Sequence, residues 1–377
     1  MELGKPVGDE LVGAILASDP AAATALFTSA IRCGESPWEL HLELFPVAQR
    51  ILNPPFINPH FPKLHGICRE LAADLEQEDL ARLVEVEVGE FALRPKLSLP
   101  EKPTPAEPAA FSEFEAAVAR RSPGEAATVL LSLWQREGGR LEAARGLLLL
   151  GSGYLQETLG HSVSCTAFIL LELLRRPEEE PWPALVALAE YFCRGGFERC
   201  PEADGRPDAG GEPRREDVLR AVSGGGIVAL HDTITLYAVE RFRPLVDEDA
   251  HRRLVGAWTA FLREKESRPV RLPGGADGDF EALFRSFDGT RVAAVCRELI
   301  RTPEGRTALA AHFVRALAEC YRGKVNPHHV TGLGAILWVL DRWSDDPELA
   351  ETALNQYLEY LLPEVRREVE RGWAFRR

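Results

Sequence analysis

The stretch HSVSCTAFILLELLR, which runs from His161 to Arg175, sets the expectation for the fold of the whole chain. On a helix, the positions three, four, seven and eight after His161 share one face, and here they are Ser164, Cys165, Phe168 and Ile169. Apolar residues recur with this spacing along almost the entire chain, whereas the strict alternation typical of strands is rare. The sequence therefore predicts an all-α protein.

Helix-start patterns support the same conclusion. A capping side chain precedes proline at Asp19-Pro20, Ser36-Pro37 and Ser122-Pro123. Proline suits the first helical position because its missing N–H would have no partner there in any case. These starts predict helices over residues 21–31, 38–51 and 126–136. We expect one large multi-helix domain over residues 1–377.

Three segments rich in proline or glycine interrupt the helical pattern, at residues 94–108, 200–216 and 266–279. We expect them to be linkers or surface loops, because such compositions favour extended or turning backbone. His161 and His328 lie 167 positions apart, and the residues that follow them are similar. This offset leaves open two pseudo-repeated halves, residues 1–175 and 176–377.

Composition narrows the classes of partner. The 377 residues carry 44 basic and 58 acidic side chains, for a formal net charge of −14. This balance argues against nucleic acid or an anionic membrane as a partner and leaves a small-molecule substrate. Seven cysteines without a Cys-x-x-Cys pair argue against a disulfide framework or a zinc ribbon. The first residues lack a basic region followed by an apolar one, so we expect no secretory signal and a cytoplasmic protein.

Histidines recur near the starts of predicted helices, at His65, His161, His231 and His328. Each is followed on its own helix face by small or hydroxyl residues and then by apolar ones, so the face should point inward. A buried imidazole needs a hydrogen-bond partner or a metal. Four imidazoles that converge would form a nitrogen-rich site suited to iron, copper, zinc or nickel. The sequence therefore predicts a metal site with an open position for a substrate.

The exact ligand set stays open at this point. The same tripeptide occurs at Asn58-Pro59-His60 and at Asn326-Pro327-His328, so His60 is a reserve candidate for a ligand. Either His328 or its neighbour His329 could be the ligand on the last helix. Asp232 and Asp341, the carboxylates nearest to the histidine positions, are further reserve residues that would orient or join the site. Residues expected to orient the rings are Ser164, Thr235 and Thr331. Histidines outside the pattern, which we expect to be structural, are His41, His251 and His312.

The spaced histidine helices resemble those of the questin oxidase-like proteins. The motifs that carry the resemblance are His65-Gly-Ile-Cys, Gly160-His161-Ser-Val-Ser, Leu230-His231-Asp-Thr-Ile-Thr and His328-His329-Val-Thr, within residues 35–345. The resemblance implies an all-helical enzyme that opens a ring of aromatic polyketides, such as anthraquinones, with molecular oxygen. It also implies a histidine-rich site, with non-haem iron as the expected metal. This chain departs from the family in its short N-terminal region and its proline-rich linker.

If the resemblance holds, neutral imidazoles would bind iron with one position open for oxygen. Phe168, Tyr237 and Trp338 would stack a planar substrate. No convincing flavin or nicotinamide site is present, because Gly224-x-Gly226-x-x-Ala229 follows a polar helical segment and not a strand.

Two other functions remain open. His231-Asp232 matches the dipeptide of HD-domain phosphohydrolases, in which a divalent metal activates water. A non-catalytic helical repeat scaffold is the second, although no regular period of about 30–45 residues is visible.

Overall fold

The computed structural model describes residues 7–104, 109–198, 211–262, 265–275, 278–321 and 323–371. Within these ranges the chain forms twenty α-helices and no strand. Two isolated bridges, Ile51 with Lys96 and Asn53 with Phe56, are the only β-type pairings there. The predicted all-α multi-helix fold is confirmed.

The helices, in chain order, are α1 (Val7–Leu16), α2 (Pro20–Arg32), α3 (Pro37–Glu43), α4 (Phe45–Ala48), α5 (His60–Leu71), α6 (Gln77–Leu93), α7 (Phe111–Ala119), α8 (Pro123–Gln135), α9 (Gly139–Ser152), α10 (Leu155–Thr158), α11 (His161–Arg175), α12 (Trp182–Gly195), α13 (Arg215–Ala221), α14 (Gly226–Phe242), α15 (Glu248–Phe261), α16 (Phe280–Arg285), α17 (Gly289–Leu299), α18 (Pro303–Cys320), α19 (Pro327–Arg342) and α20 (Pro347–Glu370). Short 3-10 turns follow α5 at Ala72–Asp74 and α14 at Arg243–Leu245.

The predicted helix starts are reproduced with one interruption. Asp19 accepts a hydrogen bond from the backbone N–H of Ala22, as expected of a capping residue. The helix predicted over residues 38–51 is divided into α3 and α4, because Pro46 has no N–H to donate to the carbonyl of Leu42. The Arg176 guanidinium donates to that carbonyl instead, at 2.6 Å.

Four helices, α5, α11, α14 and α19, form the centre of the fold, and each packs against two of the others in a closed ring. Residues six or seven positions after the histidine of each helix meet in one layer. The four helices are therefore parallel. Gly334 in α19 lies so close to α5 that a Cβ there would be 2.6 Å from the Ile67 side chain. The rings of Phe168 and Tyr237 join α11 and α14 at 5.3 Å in the same layer. The other helices return the chain between these parallel elements, as parallel neighbours require.

The structure describes parts of the three segments expected to be loops. Residues 95–104 are not helical, and the Trp182 indole N–H donates to the carbonyl of Pro100 at 3.0 Å. Residues 265–275 are also without helix and are held by α20, where Thr352 accepts from the N–H of Val270. The predicted loop at 200–216 lies largely outside the described residues, and α13 begins at Arg215. The single-domain prediction and the two halves stay predictions.

Within the described ranges, no helix combines the length and the apolar character needed to cross a membrane.

Candidate metal centre

Four buried histidines meet at one end of the ring of parallel helices. His60 is the first residue of α5, His161 the first of α11, His328 the second of α19, and His231 the sixth of α14. The Nε2 atom of His161 lies 2.7 Å from Nε2 of His60 and 3.1 Å from Nε2 of His231. The His328 ring centroid lies 4.6 Å from that of His231 and 5.0 Å from that of His60. His60, His161 and His328 each offer a nitrogen within 4.8 Å of the others.

The position of this cluster follows from the helix directions. All four helices begin at the same end, so their unpaired backbone N–H groups and positive dipole ends point toward one region. Gly160 allows α11 to begin beside α14, because it has a φ of +77° and a Cβ there would lie 1.9 Å from the Thr235 hydroxyl oxygen. A positive electrostatic environment favours neutral imidazoles over imidazolium ions.

The hydrogen bonds of the Nδ1 atoms set the tautomers of three rings. His161 Nδ1 lies 2.6 Å from the carbonyl oxygen of Thr158, and His231 Nδ1 lies 2.6 Å from that of Ile227. His328 Nδ1 lies 2.8 Å from Oδ1 of Asn326, which also accepts the His328 backbone N–H. Because all three partners are acceptors, each Nδ1 carries the proton and each Nε2 presents a lone pair.

His60 has the opposite tautomer. The Arg94 guanidinium donates to Asn53 Oδ1 at 3.3 Å, which directs the Asn53 amide N–H toward His60 Nδ1 at 3.2 Å. His60 Nδ1 is therefore an acceptor, and its proton lies on Nε2, from which it is donated to His161.

No arrangement of protons on four neutral rings satisfies this cluster. His161 and His231 bring two Nε2 lone pairs to within 3.1 Å, and His328 Nε2 is buried without a partner among the described residues. Burial is the largest cause that lowers the pKa of all four histidines, to about 3 for His231, so a shared imidazolium proton is disfavoured near neutral pH. Within the described ranges, no carboxylate lies within ion-pair distance of the four rings. A metal cation would resolve these contacts, and His60, His161 and His328 place their nitrogens close enough together to share one.

The spacing of the nitrogens is compatible with such a cation. His60, His161 and His328 each offer one nitrogen within 4.8 Å of the others, and His231 Nε2 lies 3.1 Å from His161 Nε2. Imidazole nitrogens suit iron, copper, zinc and nickel alike.

Lys63 lies beneath the cluster, one helical turn after His60, and is completely buried. Its Nζ has no hydrogen-bond partner among the described residues. Burial lowers the pKa of Lys63, and its charge in turn lowers the pKa values of the four histidines. A bound cation would favour the neutral amine further.

A cavity of about 760 Å³ opens onto the four histidines. Its apolar lining includes Phe56, Ile57, Leu159 and Phe197, and Phe56 is 61% exposed at its edge. The volume suits a small organic molecule. The cavity therefore gives a ligand direct access to the imidazoles.

The aromatic residues predicted to stack a substrate lie elsewhere. Phe168, Tyr237 and Trp338 contact one another in the core, with ring centroids 5.3 and 5.7 Å apart, and do not line this cavity. They follow their histidines by six to ten residues, which places them about 9–15 Å along the helices. The aromatic side chains at the cavity come instead from loops.

The residues expected to orient the rings also act differently. The Thr235 hydroxyl donates to the backbone carbonyl of His231, and Thr331 Oγ1 is buried without a partner among the described residues. Ser164 is buried one turn after His161. The ring orientations are set by Asn53, Asn326 and two backbone carbonyls.

His65 belongs to a separate buried group with His41 and Glu87. The Nδ1 atoms of His65 and His41 lie 2.7 and 2.8 Å from the two carboxylate oxygens of Glu87, and the two imidazole rings stack at 4.1 Å. His65 lies five residues after His60, which turns its side chain about 140° around α5. These three residues also offer donors within 4.8 Å of one another. The parallel rings direct their Nδ1–H groups at the carboxylate, so hydrogen bonds account for Glu87 and both Nδ1 atoms, while Nε2 of His41 and Nε2 of His65 are buried without a partner among the described residues.

The other reserve residues do not join the four-histidine cluster. His329 is rotated about 100° from His328 and packs near Tyr360. Asp232 forms an ion pair with Lys265, while Asp341 is exposed and thirteen residues beyond His328. The pairing of Asp232 with Lys265 argues against an HD-type site. The expected structural residues His251 and His312 bind Glu240 and Glu281.

From the sequence, His60 was predicted only as a reserve ligand, and Asn53 was not identified. The repeated Asn-Pro-His tripeptide was the available signal for His60, because Asn326 caps α19 beside its histidine. Asn53 lies in a non-helical segment and contacts His60 only in the folded structure. Such a contact produces no periodic pattern in the sequence.

Comparison with protein-family models, with curated proteins and with solved structures finds no match to this chain.

Proposed function

We propose that this chain is a metal-dependent oxidoreductase that oxidises an aromatic, polyketide-type small molecule with molecular oxygen. The proposed metal is non-haem iron, held by Nε2 of His161, His231 and His328, with His60 as a fourth ligand once its proton moves to Nδ1. The observation that carries the proposal is the convergence of four imidazole Nε2 atoms, of which those of His231 and His328 meet no hydrogen-bond donor, at the inner end of a ligand-sized cavity.

The donors are compatible with iron, although they do not select it. Imidazole suits iron, copper, zinc and nickel. The resemblance to the questin oxidase-like proteins points to the same metal and to the aromatic substrate class. Iron in such a site supplies the one-electron chemistry that lets oxygen react with an organic molecule.

The protein's own residues hold and shield the reactants in this proposal. Thr158, Ile227 and Asn326 keep three Nε2 atoms unprotonated by accepting the Nδ1 protons. Phe56, Ile57 and Phe197 provide an apolar surface for a planar molecule and reduce access of water. Cys68, Cys165, Cys193 and Cys296 are buried free thiols, which supports a reducing compartment such as the cytoplasm.

The test combines metal analysis with oxygen uptake. We expect the purified chain, loaded anaerobically with Fe(II), to retain about one iron per chain and to consume oxygen only when a hydroxyanthraquinone is added. The matched control is His161→Gln, which should retain neither property while it stays folded. Retention of manganese or zinc with phosphoester hydrolysis would support the hydrolase instead. A chain that binds no first-row metal would refute the proposal.

A further inference from the structure

Glu368, near the end of α20, lines the same cavity as the four histidines. Its side chain is 20% exposed, and its carboxyl accepts no hydrogen bond from the part of the chain that the structure describes. A carboxylate removed from water without donors is costly, so it favours any ligand that brings an O–H or N–H group. Of the other carboxylates that line the cavity, Glu364 pairs with Arg367 and Glu157 is exposed to water. Glu368 is therefore a partly buried acidic group whose hydrogen-bonding capacity is unused.

His329 lies directly behind this carboxyl group. The His329 ring is completely buried, and neither of its nitrogens has a hydrogen-bond partner among the described residues. Its Nδ1 lies 3.9 Å from Oε2 of Glu368, beyond a hydrogen bond but within an ion-pair distance. Tyr360 packs against the same ring at 5.7 Å. His329 and Tyr360 thus limit the space into which Glu368 can turn.

Charged groups from several elements act on Glu368. Burial is the largest cause that raises its pKa, to about 7, and Glu364 and Glu90 raise it further. Lys324 and Arg367 act in the opposite direction. Glu368 therefore gains and loses a proton near neutral pH, which suits a group that exchanges protons with a ligand.

We infer that Glu368 is the proton acceptor for a hydroxyl-bearing ligand of the phenol or hydroxyquinone class in this cavity. In the transfer, the ligand O–H bond breaks, its electron pair stays on the ligand oxygen, and the proton binds a Glu368 carboxylate oxygen. The carboxylic acid later releases this proton to water at the cavity opening. The resulting phenolate is more electron-rich than the phenol and is therefore easier to oxidise. The aromatic nature of the ligand rests on the proposed function, whereas the role of Glu368 does not require a metal.

The test is ligand binding to metal-free full-length protein, with 2,7-dihydroxynaphthalene, whose O–H groups have no internal acceptor, and its 2,7-dimethoxy derivative as probes. We expect the dihydroxy probe to bind roughly tenfold more tightly at pH 8 than at pH 5.5, because a hydrogen bond to a charged acceptor adds about 1.5 kcal/mol. The dimethoxy probe, which has no O–H to donate, should show no such change. Calorimetric titration measures both affinities.

Glu368→Gln should abolish the pH dependence for the dihydroxy probe and leave the affinity of the dimethoxy probe unchanged. Glu370→Gln is the matched control, because Glu370 lies on the same helix and pairs with Arg366 outside the cavity. Glu364→Gln should keep the pH dependence but move its midpoint downward, since Glu364 raises the pKa of Glu368.

A pH dependence that persists in Glu368→Gln, or a wild-type protein that binds neither probe, would overturn the inference. Thermal melts check that the variant is folded, and we expect it to be at least as stable as wild type above pH 7. Failure of iron binding or of oxygen uptake, with the Glu368-dependent binding intact, would refute the proposed function alone.

Discussion

Two groups of buried histidines lie on different faces of α5, and they differ in how their protons are balanced. In the first group, His41 and His65 donate Nδ1–H groups to Glu87, whose pKa is lowered to about 2 by the two imidazoles despite its burial. In the second group, His60, His161, His231 and His328 have no carboxylate partner among the described residues. His161 Nε2 accepts from His60, whereas Nε2 of His231 and Nε2 of His328 present lone pairs that meet no hydrogen-bond donor among the described residues.

The difference shows what makes a buried histidine cluster a candidate metal centre. The number of imidazoles alone does not identify a candidate metal centre, since both groups place several possible ligand atoms within 4.8 Å of one another. In the first group the Glu87 carboxylate accepts a hydrogen bond from Nδ1 of each ring, whereas Nε2 of His41 and Nε2 of His65 are buried without a partner among the described residues. In the second group Nε2 atoms from separate helices meet with no hydrogen-bond donor between His161 and His231, so a cation would complete this contact.

The largest difference that we expect between the two histidine groups is the loss of metal affinity when one histidine is replaced. His161→Gln removes the ring that contacts both His60 and His231, and we expect metal affinity to fall at least about 100-fold. His65→Gln removes a buried histidine of the other group and should leave metal content near that of wild type. Elemental analysis after equilibrium dialysis measures both. Equal losses of metal in the two variants would remove the distinction between the groups.

The next largest difference that we expect between the two groups is the loss of folding stability on substitution, measured in the absence of metal. Glu87→Gln removes an ionised acceptor shared by two buried rings and should lower the free energy of unfolding by about 3 kcal/mol. His231→Gln removes one of two facing lone pairs and should cost less than about 1 kcal/mol. Urea unfolding with a chelator present compares the two variants. A larger loss for His231→Gln would contradict our description of the second group as uncompensated.

The sequence predicted the helices well, because apolar periodicity and capping residues act locally. The same periodicity identified His161, His231 and His328 as inward-facing positions, and the structure brings these three together. It could not choose between His60 and His65, since both lie on α5 and only the packing of α5 against α19 and α6 decides which neighbour each one meets.

The sequence could not predict which residues of other segments contact these histidines, for the same reason. Glu87 lies in α6, and its stretch of alternating Val and Glu gives no sign that one carboxylate meets two histidines. Asn53 takes its role from contacts with Arg94 and His60. Spacing along one helix indicates a shared face, whereas the identity of the facing helix depends on the tertiary arrangement.

A third, smaller effect should appear in the pH dependence of stability. The folded-state pKa of His231 is lowered to about 3, so below about pH 6.5 the unfolded chain binds a proton that the folded chain does not. Its contribution is fully present above pH 6.5 and is lost as the pH falls, by about 1.4 kcal/mol per pH unit. Glu87 adds little slope between pH 5 and pH 7.5, because its contribution to stability is lost only as the pH falls from its ordinary pKa of 4.5 toward its folded-state pKa of about 2.

The measurement is urea unfolding of metal-free wild type and His231→Gln at pH 7.5, 6 and 5. The difference between the two proteins isolates His231 from other groups, including Glu368, which acts with the opposite sign. We expect His231→Gln to lose less stability on acidification than wild type. Identical slopes would show that His231 is protonated in the folded protein and would remove the electrostatic basis of the comparison.

The smallest effect should come from the tautomer of His60, which is the one ring whose Nε2 carries a proton. Asn53→Asp replaces the amide N–H that faces His60 Nδ1 with an acceptor, so the ring's proton should move to Nδ1 and free Nε2 for a metal. We expect roughly tenfold tighter metal binding, measured by competition with a chelator. Asn326→Asp places a similar charge beside His328, whose Nδ1 already donates to Asn326, and changes no tautomer. An equal gain in both variants would mean that charge alone is responsible, and His60 would then complete the cluster as a hydrogen-bond donor, not as a ligand.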